Sequence, residues 1–348
     1  MKPDGNFFED FSLGQILAHA TPRTLTAGDA AVYLSLFGAR HPLHCAEPFA
    51  RGLGLPGMPI DDWLAFHVVF GKTVPDVSLN AVANLGYAEG RWLAPVFAGD
   101  TVTARSEVIG LRENSNRQSG VVYVRTTGSN QRGEPVLSYA RWVMVHKRDH
   151  GAPAPASAVP KLAAAVAVES LICPQLAGYD PTATGDDRAF EDYAVGQRID
   201  HQAGITVEDA EHMMATRLYQ NTARLHFDHH AAAKGRFGKR LIYGGHAISL
   251  ARALSFNGLA NACRVLALNG GRHVAPLFAG DTVHAWSEVL EAEPLPGRAD
   301  AGALRLRQFA LKNRDAAGFP GAVGEGYDPA VILDLDLWVA VPRRAAMV

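Results

Sequence analysis

In GVVYVRTTG (120–128) and LSYARWVMV (137–145) apolar side chains recur at every second position, and the polar SNQRGE between them reads as a turn. That alternation predicts a half-buried antiparallel pair of strands. ALRLRQFALKN (303–313) and ILDLDLWVAV (332–341) predict a second pair, joined by a longer Gly/Pro-rich connection. Upstream the period changes. In HAISLARALSFNGL (246–259), Ile248, Ala251 and Leu254 fall at helical spacing, with Gly258 as a stop. WLAFHVVFG (63–71) is its counterpart in the first half of the chain. Before each long helix stands a shorter polar-started segment, TLTAGDAAVYLSLFG (24–38) and TVEDAEHMMATRLYQN (206–221). In the latter, Thr206 with Asp209 three residues on predicts a capping box.

The order of elements occurs twice because the sequence does. PVFAGDTV (95–102) recurs as PLFAGDTV (276–283), FEDFSLGQ (8–15) as FEDYAVGQ (190–197), and SEV (106–108) as SEV (287–289). The chain is a tandem duplication. Between the copies lies HGAPAPASAVPKLAAAVAVES (150–170), whose Ala and Pro content favours an extended path. The expected organisation is one domain over 1–150, a linker over 151–187 and a second domain over 188–348. A long helix and several antiparallel strands, used twice, predict an α+β chain with the tandem (double) hot-dog fold. Each sheet would wrap around one central helix. The PxFAGDTV phrase reads as a turn into the sheet, with Gly and Asp supplying its geometry.

At 348 residues, 48% of them hydrophobic, the chain is long enough for two cores. Lys+Arg at 33 against Asp+Glu at 35 gives a formal charge of −2, and neither sign forms long blocks. This argues against a nucleic-acid partner or an anionic membrane surface and leaves a small neutral or anionic molecule. MKPDGNFFED lacks the apolar core of a secretory signal, and no window approaches the roughly 18 apolar residues of a spanning helix. The expectation is a soluble cytoplasmic protein. Cys45, Cys173 and Cys263 are far apart and are expected to be buried apolar residues. GAVGEG (321–326) is not placed between a strand and a helix, as a dinucleotide site requires, and the serine-hydrolase elbow Gly-x-Ser-x-Gly is absent. His226-Phe227-Asp228-His229-His230 lacks the spacing of a metal site, so no metal is expected.

Chemistry is expected where a loop delivers polar groups to the start of a central helix, whose free N–H groups stabilise developing negative charge. The second copy reads NTARLHFDHHAAAKGRFGKRLIYGGHAISLARAL from 221 to 254. This stretch resembles the loop of the MaoC-like (R)-specific enoyl-CoA hydratase family, Asp-x-Asn-Pro-x-His followed by a Gly that opens the helix. On that resemblance Asn221 falls on the Asp, His226 on the His and Gly245 on the helix-opening Gly, and these are the implied catalytic residues. Asn221 can orient a water but cannot take its proton. Three readings stay open: His226 does the acid–base work with Asn221 as positioner; Asp228, Asp61 or Asp62 substitutes for the missing acid; or the site is inactive. The first copy keeps Pro42-Leu43-His44 but has Ala39 in place of the acid and Trp63 opposite Gly245, which assigns it to shaping the acyl pocket.

Longer segments narrow the resemblance. FHVVFGKTVPDVSLNAVANLGYAEGRWLAPVFAGDTV (66–102), ENSNRQSGVVYVRTTGSNQ (113–131) and LIYGGHAISLARALSFNGLAN (241–261) are similar to the mesaconyl-CoA hydratase branch of that family. The resemblance implies reversible hydration of mesaconyl-CoA to β-methylmalyl-CoA, in acetyl-CoA assimilation through ethylmalonyl-CoA. CoA would arrive as part of the acyl-CoA substrate and no other cofactor is implied. The acyl group carries a free carboxylate, for which Arg224 is the candidate receptor. Tyr243 and Asp62 are the further candidate substrate contacts. Hydration of another enoyl-CoA, and acyl-CoA binding without catalysis, are the alternatives. Exposed sheet edges would favour a homo-oligomer, whereas pairing of the two sheets within one chain would permit a monomer.

Overall fold

The structure, a computed structural model, describes residues 4–348. The first three residues of the acidic N-terminal stretch lie outside it. The first copy runs β1 (Ile16–Thr24), α1 (Ala27–Phe37), the short α2 (Pro42–Cys45) and α3 (Glu47–Gly52), and the long α4 (Asp62–Thr73). Four strands follow: β2 (Ala81–Trp92), β3 (Thr101–Glu113), β4 (Ser119–Ser129) and β5 (Pro135–His146). The second copy repeats the plan with β6 (Arg198–Asp200), β7 (Ile205–Thr206), α5 (Asp209–Leu218), α6 (Arg224–Phe227), α7 (His229–Ala232) and α8 (Gly244–Leu254). Its strands are β8 (Arg264–His273), β9 (Thr282–Pro294), β10 (Ala301–Lys312), a small hairpin of β11 (Ala322–Val323) and β12 (Gly326–Tyr327), and β13 (Val331–Pro342).

Among the described residues, one eleven-stranded antiparallel sheet runs β1-β3-β4-β5-β2-β8-β13-β10-β9-β6, with β7 on β9. The copies join where β2 pairs with β8, Tyr87 opposite Gly271 and Arg91 opposite Ala267. The two sheets therefore cover one edge each within the chain. The central helices lie in the same apolar core. Every residue of α4 is buried, the signature of a helix enclosed on all sides. Polar groups bridge the copies there: the Tyr33 hydroxyl donates to Ser249 Oγ at 2.9 Å, and His67 Nε2 lies 3.0 Å from the same oxygen. No helix among the described residues is long and apolar enough to cross a membrane.

The duplicated phrases are turns. Asp100 and Asp281 each accept from the backbone N–H of the Phe three residues earlier, at 2.9 Å in both copies. Gly99 and Gly280 take φ of 98° and 91°, in the left-handed region that glycine tolerates. The FED phrases are built the same way, with Asp10 accepting from Phe7 N–H and Asp192 from Ala189 N–H. Capping departs from expectation. The capping box forms in the first copy, between Thr26 and Asp29. Thr206 instead ends β7 and pairs its hydroxyl with that of Thr282 at 2.9 Å, so α5 starts after Glu208 without a side-chain cap.

Residues 151–187 pack on the sheet. Leu268, Leu304 and Leu337 share a core with α8, while their neighbours Ala267, Ala303 and Trp338 form a second cluster with Val166, Leu176 and Tyr179. Side chains alternate across a strand, so this segment covers the face turned away from α8. The Trp338 indole N–H donates to Val166 O and fixes it there. Of the cysteines, Cys263 is buried, but Cys45 is exposed, against expectation, because it ends α2 on the surface.

Gly71 marks the tightest approach of the copies. A methyl group built there would overlap the carbonyl oxygen of Tyr219, just beyond α5, and a backbone oxygen cannot turn aside. Gly71→Ala is expected to cost about 1–3 kcal/mol, as overpacking does, read as a lower midpoint in urea unfolding. An unchanged midpoint would contradict this contact.

Candidate active site

A cavity of about 730 Å³ opens between the start of α8 and the strands β2 and β5 of the other copy. Its lining includes Asn221, His226, Tyr243 and Gly244 from the second copy, with Phe70, Tyr87 and Arg141 from the first. The loop before α8 is held by its own backbone, Leu241 N–H donating to Leu225 O at 3.1 Å. His226 sits in α6, and its Nδ1 lies 2.8 Å from Leu241 O. A carbonyl only accepts, so Nδ1 carries the hydrogen and Nε2 keeps a lone pair, with no partner among the described residues. Burial draws the His226 pKa down to about 4, the bond to Leu241 opposing it. The imidazole is therefore neutral near pH 7.

Asn221 is buried, and its Oδ1 accepts from Ala223 N–H at 3.0 Å. That donor fixes the amide orientation, so the NH₂ end is left for a ligand. Tyr243 precedes α8, and its N–H donates to His212 Nε2 at 2.9 Å. Its hydroxyl has no partner among the described residues, and its ring centre stands 5.5 Å from that of His226. The helix opens at Gly244, one residue before the expected Gly245, and it is Gly244 that lines the cavity. The N–H groups of both glycines belong to the first turn, which has no intrahelical acceptors. Neither position tolerates a side chain: a methyl at Gly244 would overlap the His273 ring, and one at Gly245 would overlap Tyr243 and His67.

Two expected contacts are not in the cavity. Arg224, the first residue of α6, is exposed and outside the lining, because the turn that brings His226 inward carries it outward. Asp62 is buried in the first copy, where it accepts from Val265 N–H at 2.9 Å, ion-pairs with Arg264 at 3.4 Å and stands 3.8 Å from His44 Nε2. The His44 ring is held as His226 is, its Nδ1 3.2 Å from Pro59 O. The first copy thus fills its own site with a carboxylate. The other candidate acids are capping residues, Asp61 on Trp63 N–H and Asp228 on Ala231 N–H. His229 and His230 are exposed.

Sequence reasoning missed His273, Tyr87 and Arg141, all in the lining. His273 Nε2 lies 3.1 Å from the Tyr87 hydroxyl, and burial, with His226 nearby, lowers its pKa to about 4. A signal for Arg141 was present: in LSYARWVMV it is in phase with Tyr139, Val143 and Val145, a charge on an apolar face. At the rim, Arg236 and Lys239 supply positive charge.

A paired hot-dog sheet around two central helices, with an imidazole and a helix start on one cavity, makes this a MaoC-like double hot-dog protein. The solved MaoC domain protein dehydratase from Chloroflexus aurantiacus superimposes with a TM-score of 0.97 at 56% identity, covering 98% of this chain and 99% of that one. A double hot-dog protein from Mycobacterium tuberculosis gives 0.73 at 26% identity, covering 98% and 99%. The sequence model of mesaconyl-CoA hydratase matches residues 1–324. The β-methylmalyl-CoA dehydratase of Chloroflexus aurantiacus is 58% identical over 98% of both chains. The mesaconyl-CoA hydratase of Cereibacter sphaeroides is 59% identical, over 97% of this chain and 98% of that one. The chain belongs to the mesaconyl-CoA hydratase family.

Proposed function

We propose that the protein reversibly hydrates mesaconyl-CoA to β-methylmalyl-CoA, the reaction named for its relatives, with His226 as the acid–base group. The observation that carries the mechanism is the His226–Leu241 bond, which leaves a neutral Nε2 in the cavity bordered by the start of α8. In hydration a water sits between the Asn221 NH₂ and His226 Nε2. Nε2 takes its proton as the oxygen adds to the β-carbon. Charge then moves to the thioester oxygen, where an N–H of Gly244 or Gly245 stabilises it; one such donor is worth about 3 kcal/mol. The imidazolium returns a proton to the α-carbon, so water is added across the double bond and His226 ends neutral.

Arg236 and Lys239 at the rim suit the phosphates of CoA. Every group this reading uses belongs to one chain, and it invokes no cofactor beyond the CoA of the substrate. Purified protein should remove the conjugated enoyl-thioester absorbance of mesaconyl-CoA. Tight binding without any loss of absorbance would instead assign it as an acyl-CoA-binding protein. Asn221→Ala, which removes one neutral hydrogen bond to the water, is expected to lower kcat about tenfold. No change would place the water elsewhere.

A further inference from the structure

Arg141 is fully buried, yet it lines the cavity. Its Nη2 donates to Thr73 Oγ1 at 2.8 Å and to Ser78 Oγ at 3.3 Å, and its guanidinium lies 4.3 Å over the Phe70 ring. Its Nε and Nη1 make no hydrogen bond, and no carboxylate among the described residues ion-pairs with it. Other arginines of the fold have acidic partners, Arg264 with Asp62, Arg305 with Asp336 and Arg307 with Asp334. Arginine stays charged in proteins, and a buried charge without a counter-ion is strongly unfavourable. A rigid fork with unused donors, held in place by two hydroxyls and a ring, has the geometry to receive a carboxylate.

We propose that Arg141 binds the free carboxylate of the acyl group and so selects half-thioesters of short unsaturated dicarboxylic acids over uncharged enoyl-CoAs. This rests on the hydratase reading above. The Phe70 ring beneath the guanidinium is 5.6 Å from Tyr243, whose ring is 5.5 Å from His226, so the receptor and the base share one aromatic wall. In β-methylmalyl-CoA the free carboxylate and the hydroxyl are on the same β-carbon. Holding that carboxylate therefore positions the carbon that water attacks, and neutralises a charge that would repel the incoming oxygen.

The test compares mesaconyl-CoA with 2-methylcrotonyl-CoA, in which a methyl group replaces the carboxylate. For Arg141→Met, kcat/KM on mesaconyl-CoA should fall about 10²- to 10³-fold, as when one partner of a buried charge pair is removed, while 2-methylcrotonyl-CoA changes by less than about threefold. Arg141→Lys keeps the charge without the fork and should lose about tenfold on mesaconyl-CoA alone; it serves as the test if the methionine variant does not fold. Ligand-free Arg141→Met should melt no lower than the parent, because an uncompensated charge has been removed. Equal losses on both substrates in these variants would overturn the proposal and make Arg141 structural. A parent protein that hydrates 2-methylcrotonyl-CoA but not mesaconyl-CoA would instead overturn the substrate reading, before any variant is made.

Discussion

His226→Ala is expected to lower kcat on mesaconyl-CoA about 10³-fold, the scale of a lost general acid–base group, with KM changed little. No neighbour can take over. The Asn221 amide has its oxygen bound to Ala223 N–H and offers only N–H groups. His273 has Nε2 engaged with the Tyr87 hydroxyl. Asp61 and Asp228 cap helices, and Asp62 closes the site of the other copy. The parent's pH profile should carry the same information. Burial holds His226 near a pKa of about 4, so the base form persists well below the ordinary value of about 6.5. Hydration should therefore keep its kcat/KM between pH 8 and about 6. A profile that halves near 6.5 would identify a solvated histidine as the base, and a variant retaining a tenth or more of the parent kcat would place the base elsewhere.

Legibility in the sequence followed the periodicity. β4, β5, β10, β13 and α8 were read because one face of each is regularly apolar. β8 was not, because its first six residues are all buried and no alternation survives. β3 does alternate, but Ala104 and Ser106 on its inner face dilute the signal. Thr206 and Asp209 have the spacing of a capping box, yet the second copy uses Thr206 as the first uses Thr24, to pair with the first threonine of the long strand beside it in the sheet. In the site, Asn221, His226 and Tyr243 could be found because one continuous loop carries them to the cavity. For Arg141 the sequence showed only a charge on an apolar face, not the cavity it lines, because it reaches that cavity from the other copy and only the β2–β8 junction brings the two together. Arg224 was chosen for nearness in sequence, which a helical turn converts into the opposite direction.

Acidification should unfold the protein before it silences His226. Burial is the first cause of the lowered pKa at each of seven histidines: His201, His226 and His273 at about 4, His246 at about 3, His212 at about 2, and His41 and His67 well below the ordinary value. Each ring regains a pKa near 6.5 when the chain unfolds. Between about pH 6.5 and 4 the unfolded chain therefore binds more protons than the native one, and stability is full above that window and lost as pH falls through it. Each ring contributes on the order of 1.4 kcal/mol per pH unit, so several acting together exhaust a typical stability of about 5–15 kcal/mol within one to two units. Urea unfolding at pH 7.5, 6 and 5 should show a steep fall, with the native state lost near pH 5. His246→Phe, which keeps an aromatic ring against Phe37 in place of an imidazole with an unpartnered Nδ1, should reduce that slope by one histidine's share. Stability that is flat between pH 7.5 and 5 would mean that these rings are open to water. Hydratase activity should accordingly vanish with the folded signal near pH 5, above the pH at which the buried base itself would take up its proton.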